Sequence, residues 1–270
     1  MPIKIGLVGC GAIGAEIARA VDHGVIDASL VAVCDHNSAT AAALIDSLEH
    51  KPKKAKLEEL VSLSDLVIEA ASQKAVAAVA RAALTKGKRL MIMSVGALAD
   101  GRLFSEIKGL AKENGSMVYL PSGAIAGLDG LKSASIGTIR RITLTTTKNP
   151  RGLIGAPYIA ANKIDLDALA GPTLIFSGSA LEAVKAFPAN VNVAATLYLA
   201  AGECDVQVNV VADPDIHVNR HEILVEGSFG SISTKVENVP SPKNPKTSYL
   251  AALSAIATLR SIVEPVKIGT

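Results

Sequence analysis

Two sets of residues have types and spacings suited to chemistry, and the first is Gly9-Cys10-Gly11-Ala12-Ile13-Gly14. This GxGxxG follows a strand-like run directly and opens a helical one. In such a turn the first glycine permits the bend and the second lets backbone approach a pyrophosphate. The third allows close helix–strand packing, and the helix N-terminus stabilises the phosphate charge. Gly9, Gly11, Ala12, Ile13 and Gly14 are therefore expected to contact a dinucleotide. Asp35 ends the next strand-like run about 20 residues on, where an acidic side chain accepts hydrogen bonds from the adenosine ribose. Its charge repels a 2′-phosphate and favours NAD, while the following His36-Asn37 has no arginine for that phosphate but leaves room for NADP. Ala70-Ala71-Ser72 and Ser94-Val95-Gly96-Ala97 each follow a further strand-like run, at the sheet edge where open α/β sheets bind ligands. Ala71 and Ser72 join the expected coenzyme contacts.

A nucleotide-binding half names no reaction by itself. The second set is four polar clusters further along: Pro121-Ser122-Gly123-Ala124-Ile125-Ala126-Gly127-Leu128-Asp129, Phe187 to Ala194 with Asn190-Val191-Asn192, Ala212-Asp213-Pro214 with Asn219-Arg220-His221-Glu222, and Glu237-Asn238-Val239-Pro240-Ser241 continuing to Ser248. In this order, from the first strand to the last helix, they resemble the L-aspartate dehydrogenase family. The NxHE and ENxPSPxNPKTS segments are the specific ones, because neither belongs to dinucleotide-binding dehydrogenases at large. The resemblance implies NAD(P)-dependent oxidation of L-aspartate to iminoaspartate. The imine would then hydrolyse to oxaloacetate and ammonia or pass on toward quinolinate and NAD synthesis. It also implies that His221 is catalytic and that Ala124 and Asn190 contact the coenzyme.

The residues themselves support His221 in part. Of five histidines, His23, His36 and His50 fall in the nucleotide-binding half, leaving His217 and His221 in the other. Removing hydride from Cα of an amino acid requires an unprotonated amine, so a base working near neutral pH is needed, and histidine has the unperturbed pKa for it. His217 is the competitor. Two substrate carboxylates call for cations, and arginine suits bidentate recognition. Lys148, Arg151, Arg220, Lys243 and Lys246 are the choices, although Arg220 should point away from His221 on a strand. Thr247 and Ser248 are expected to open the terminal helix, where they either present amides to an anion or, with Asn244, cap it.

The elements that must position these groups follow from patterning. Over residues 1–120, short apolar runs at 3–8, 30–34, 66–70, 89–93 and 117–120 alternate with helical segments at 12–22, 38–48, 56–62, 73–86 and 101–113. This is the pattern of βαβ units and a doubly wound parallel sheet, a Rossmann domain. Residues 121–242 read as an α+β catalytic domain with a mainly antiparallel sheet: strands at 139–147, 173–178, 205–212, 222–227 and 230–236, helices at 156–170, 179–186 and 191–201. Residues 243–270 form a helix expected to pack back on the first domain. The chain has 270 residues, 49% hydrophobic and 19% charged, which fits two packed cores and not a disordered chain. A net charge of +2 and 3% aromatics argue against nucleic acid or an anionic membrane as partner. Cys10, Cys34 and Cys204 have no metal-ligand spacing and suit a reducing cytoplasm. No signal-peptide pattern opens the chain, and no apolar run reaches the ~20 residues of a membrane span. A homodimer is expected by analogy with two-domain dehydrogenases. The rival readings are a dihydrodipicolinate- or homoserine-type reductase, and a coenzyme-binding sensor without turnover.

Overall fold

The run Ile3–Val8, buried from Ile5 onward, forms β1, the centre of a sheet whose strands are covered by helices. In the computed structural model, which describes residues 2–188, 192–202, 204–241 and 244–269 (for 244–247 the backbone only), the elements continue as α1 (Ala12–Asp22), β2 (Ala28–Cys34), α2 (Ser38–Asp46), β3 (Lys53–Lys54), α3 (Leu57–Leu63), β4 (Leu66–Glu69), α4 (Gln73–Leu84), β5 (Arg89–Ile92), α5 (Gly101–Glu113) and β6 (Val118–Tyr119). The strands lie in the order β3-β2-β1-β4-β5-β6, and every pairing is parallel. The order reverses direction between β1 and β4, the topological switch point at which such sheets bind ligands. Ile5, Leu7, Ile17, Val33, Leu66, Ile68 and Met91 are buried in one cluster beneath that edge.

The second unit contains α6 (Leu128–Ala134), β7 (Ile139–Lys148), α7 (Pro157–Ala161), β8 (Thr173–Ser179), α8 (Ala180–Ala186), α9 (Asn192–Ala200), β9 (Val206–Ala212), β10 (Asn219–Gly227), β11 (Gly230–Asn238), β12 (Pro240–Ser241) and β13 (Asn244–Ser248). Its main sheet has the order β11-β10-β7-β9-β8. Only the β7–β9 pairing is parallel, against three antiparallel ones. Strand β7 is apolar at alternate positions, so Ile142 and Leu144 face the core with Ile223 and Val225 of β10. Tyr158, Phe176 and Phe187 pack there with ring centroids 5.3–5.6 Å apart. The last helix, α10 (Tyr249–Val263), returns to the first core, where Ala255 and Leu259 are buried. The two compact units are residues 1–121 with 251–267, and 122–250 with 268–270.

Three local expectations are corrected. The helix expected over 156–170 is only Pro157–Ala161. Asn162 folds back onto the Tyr158 carbonyl, Lys163 takes a left-handed conformation, and Asp165 accepts from the Asp167 amide in an Asx turn. Local side-chain hydrogen bonds thus outcompete the helix. The terminal helix does not open at Thr247. Residues Asn244–Ser248 form a strand paired with β12, and the helix starts at Tyr249, whose amide bonds the Val239 carbonyl at 3.0 Å. Asn244 and Thr247 are therefore strand residues and not caps. The segment 128–134, for which no element was expected, is helical.

Candidate functional site

Gly9 sits just past β1 at φ +99°, and its amide donates to the Cys34 carbonyl at 2.8 Å. A Cβ added there would lie 2.5 Å from backbone atoms of Ala70 and Ala71, and one added at Gly14 would run into the Gly9 carbonyl oxygen. Both glycines are required by close backbone packing. Gly11 is different, because a Cβ on it would meet nothing within 4 Å. It is the exposed N-cap of α1, with no side-chain hydrogen bond to the first turn, in which Ala12 and Ile13 are half-buried. That geometry suits an approaching pyrophosphate. Asp35 accepts from the Cys10 amide at 2.7 Å and the Asn37 amide at 2.8 Å, and pairs with the exposed His36 at 3.1 Å. Oδ2, which accepts only from Cys10, retains a lone pair for a ribose hydroxyl. The Cys10 thiol is buried, and burial pushes its pKa up to about 12, with Asp35 adding to the effect.

Ala71 and Ser72 lie in the loop after β4, and both of their amides are engaged. They donate to Glu69 Oε1 at 2.8 and 2.9 Å. The Ser94 amide and hydroxyl donate to the same carboxylate at 3.0 and 2.9 Å. Glu69 is fully buried, and burial raises its pKa against the opposing pull of these four bonds. It ties together the two loops at the carboxyl edge of β4 and β5. Sequence reasoning missed it, although a carboxylate closing the otherwise apolar run Leu66-Val67-Ile68 was the available signal.

In the second unit, β10 is held between β7 and β11, with His221 opposite Thr146 and Val236. His221 is only 2% exposed, and its Nδ1 hydrogen-bonds Thr146 Oγ1 at 3.0 Å. Two residues along β7 on the same face lies Lys148, 5% exposed. Burial lowers the Lys148 pKa to about 8. Burial first, and then the positive Lys148, hold the His221 imidazole down at about 3. The expectation of a histidine with an ordinary pKa is thus corrected: the sheet face removes it from water. Asn219, also on this face, donates to Ser248 Oγ at 3.3 Å. Asn238 at the end of β11 donates to the Ala124 carbonyl at 2.9 Å. Three of the four polar clusters therefore meet around one end of β10 and β11.

The cations separate clearly. Lys148 joins His221, whereas Arg220 points to the opposite face and pairs with Glu237 at 2.8 Å. Arg151 and His217 line an open cleft of about 700 Å³ together with Asn149, Asp167 and Asn219. Asn190 and Lys243 lie outside the described residues, as does the side chain of Lys246. Phe187 and Ala194, which flank Asn190 in sequence, line a cavity of about 20 Å³ with Thr146 and Leu144. Among the described residues, no helix is long and apolar enough to cross a membrane.

Known proteins with similar sequence and fold bear on this arrangement. Residues 129–262 match the family described as aspartate dehydrogenase, C-terminal, and residues 9–121 match the homoserine dehydrogenase NAD-binding domain. The chain is 54% identical over 270 residues to the L-aspartate dehydrogenase of Methanosarcina mazei, covering 99% of this chain and 100% of that one. It is 56% identical over 268 residues to the L-aspartate dehydrogenase of Methanocella arvoryzae, with 99% of each covered. The crystal structure of aspartate dehydrogenase from Thermotoga maritima superposes with a TM-score of 0.79 at 28% identity, covering all of both chains.

Proposed function

This chain belongs to the L-aspartate dehydrogenase family, and from that premise we propose that it catalyses the oxidative deamination of L-aspartate with His221 as catalytic residue. It is an NAD(P)-dependent dehydrogenase. The observation that carries the site assignment is His221 buried beside Lys148 on one face of one sheet, with Nδ1 already engaged by Thr146.

The bound coenzyme supplies the acceptor for hydride from the substrate Cα. The chain's own residues manage protons and charge. In the tautomer that carries its proton on Nδ1 and donates it to Thr146 Oγ1, the lone pair of His221 resides on Nε2, free to take a proton from the substrate ammonium. Lys148 meets a substrate carboxylate, and the dicarboxylate in turn offsets the positive charge that depresses the imidazole. Substrate binding therefore raises the proton affinity of His221 from its low value in the free protein. After hydride departure Nε2 gives up that proton to solvent, takes one from the water that adds to the imine carbon, and returns it to the amino nitrogen of the resulting carbinolamine. Ammonia then leaves and oxaloacetate forms, or the imine passes on toward quinolinate. Asp35 favours NAD over NADP, because its carboxylate faces the place of the ribose hydroxyls and repels a 2′-phosphate. Gly9, Gly11 and Gly14 hold the pyrophosphate turn, and Ala124, kept in place by Asn238, contacts the coenzyme.

The test is a product balance. L-Aspartate with NAD should give equal amounts of reduced coenzyme, ammonia and oxaloacetate, with no comparable turnover of L-homoserine. Preferential oxidation of L-homoserine would overturn the reading in favour of a homoserine-type enzyme, and tight coenzyme binding without turnover would make the chain a sensor.

A further inference from the structure

We propose that the buried carboxylate of Glu69 biases the coenzyme site toward the oxidised, positively charged nicotinamide ring. Glu69 is the last residue of β4, in register with Val8 of β1 on one side and Ile92 of β5 on the other. It therefore stands at the switch point of the sheet. Asp35, at the end of β2, fixes the adenosine half of a dinucleotide on one side of β1. The nicotinamide half then extends the other way, over the edges of β4 and β5. The loops there are Ala70–Ser72 and Ser94–Ala97, the two that Glu69 holds.

Among the described residues, the hydrogen bonds to this carboxylate come from backbone amides and a serine hydroxyl, and none from a lysine, arginine or histidine. Its charge is spread by dipoles and not cancelled by a cation. In a fully buried position the field of such a charge is weakly screened. The oxidised ring carries one positive charge, which hydride addition removes. A carboxylate beneath the ring edge stabilises the oxidised form and leaves the reduced form untouched. This inference rests on coenzyme binding alone and stands apart from the aspartate reading.

The experiment compares dissociation constants of NAD, NADH and ADP-ribose, measured by calorimetry on the full chain, for the wild type and Glu69→Gln. Glutamine keeps the shape and removes the charge. The Kd for NAD should rise about five- to tenfold, with NADH and ADP-ribose within about twofold of wild type. Equal loss for NAD and NADH would reduce Glu69 to a tie between two loops and overturn the proposal, as would no change at all. Should Glu69→Gln not fold, Ser94→Ala provides a second test. It removes one of the hydrogen bonds that favour the ionised carboxylate, so as pH is lowered the preference for NAD over NADH should be lost at a higher pH than in the wild type. A preference lost at the same or a lower pH overturns the proposal.

Discussion

Replacing Lys148 with methionine should make the protein more stable and destroy its activity. The ammonium is buried on the core face of β7, and burial alone lowers its pKa from 10.5 to about 8. At ~1.36 kcal/mol for each tenfold change, that fall corresponds to about 3 kcal/mol of stability given up once the lysine is charged. Methionine keeps the unbranched stem that runs beside Gly152 and gives up the interactions of the ammonium, which offset about 1 kcal/mol. The net expectation at pH 7 is a gain of about 2 kcal/mol. The pH dependence fixes the cause. A base with a depressed folded-state pKa contributes its full stability above the unfolded value, and that contribution is lost as pH falls from 10.5 through about 8. The wild type should therefore gain stability between pH 8 and 10 while Lys148→Met does not, and the two curves should converge. Urea denaturation at several pH values measures this directly. A variant less stable than wild type at pH 7, or a difference that ignores pH over this window, would refute the reasoning. The same variant should lose about 100-fold or more in kcat/KM for aspartate, because a substrate carboxylate loses its cation.

His221 adds a second pH dependence of the same sign at lower pH. Its pKa of about 3 against an ordinary 6.5 means that stability is complete above pH 6.5 and falls by up to about 5 kcal/mol toward pH 3. His221→Leu should flatten that limb in urea melts, and an unchanged acid limb would show that other groups cause it. Asp35→Ser should weaken NAD binding about tenfold while removing the repulsion of a 2′-phosphate, so that the NAD-to-NADP preference in calorimetry narrows or inverts. Asn238→Ala should cost about 1–3 kcal/mol in chemical denaturation by leaving the buried Ala124 carbonyl without its donor. A loss within experimental error would mean that the bond does not hold Ala124 in place.

The glycine turn after β1 and the acidic end of β2 were legible in the sequence because their signals are local. The apolar run, the glycines at fixed offsets and the acidic residue ending the next strand all act within one βαβ unit, and α1 spans the expected 12–22. His221 was legible as a strand residue near a motif, but its chemistry was not. The imidazole is depressed because β10 pairs with β7 and brings Lys148 to the same face, a consequence of register between strands some 75 positions apart. The same holds for the bond from Asn238 to Ala124, which spans 114 positions. Lys148 was one cation of five, and only its burial separates it from Arg220, which the alternation of a strand places on the opposite face. The helix expected over 156–170 failed for a local reason, since Asn162 and Asp165 turn the chain with their own side chains.

The most direct test of the central claim is the absorbance of reduced coenzyme formed from L-aspartate and NAD by the wild type and by His221→Ala, with NAD binding measured on both. The wild type should turn over. The variant should lose about 100- to 10,000-fold in kcat while its affinity for NAD stays within about twofold. A His221→Ala protein that folds, binds NAD and still oxidises aspartate at near the wild-type rate would contradict the assignment of His221 as the proton-transferring group.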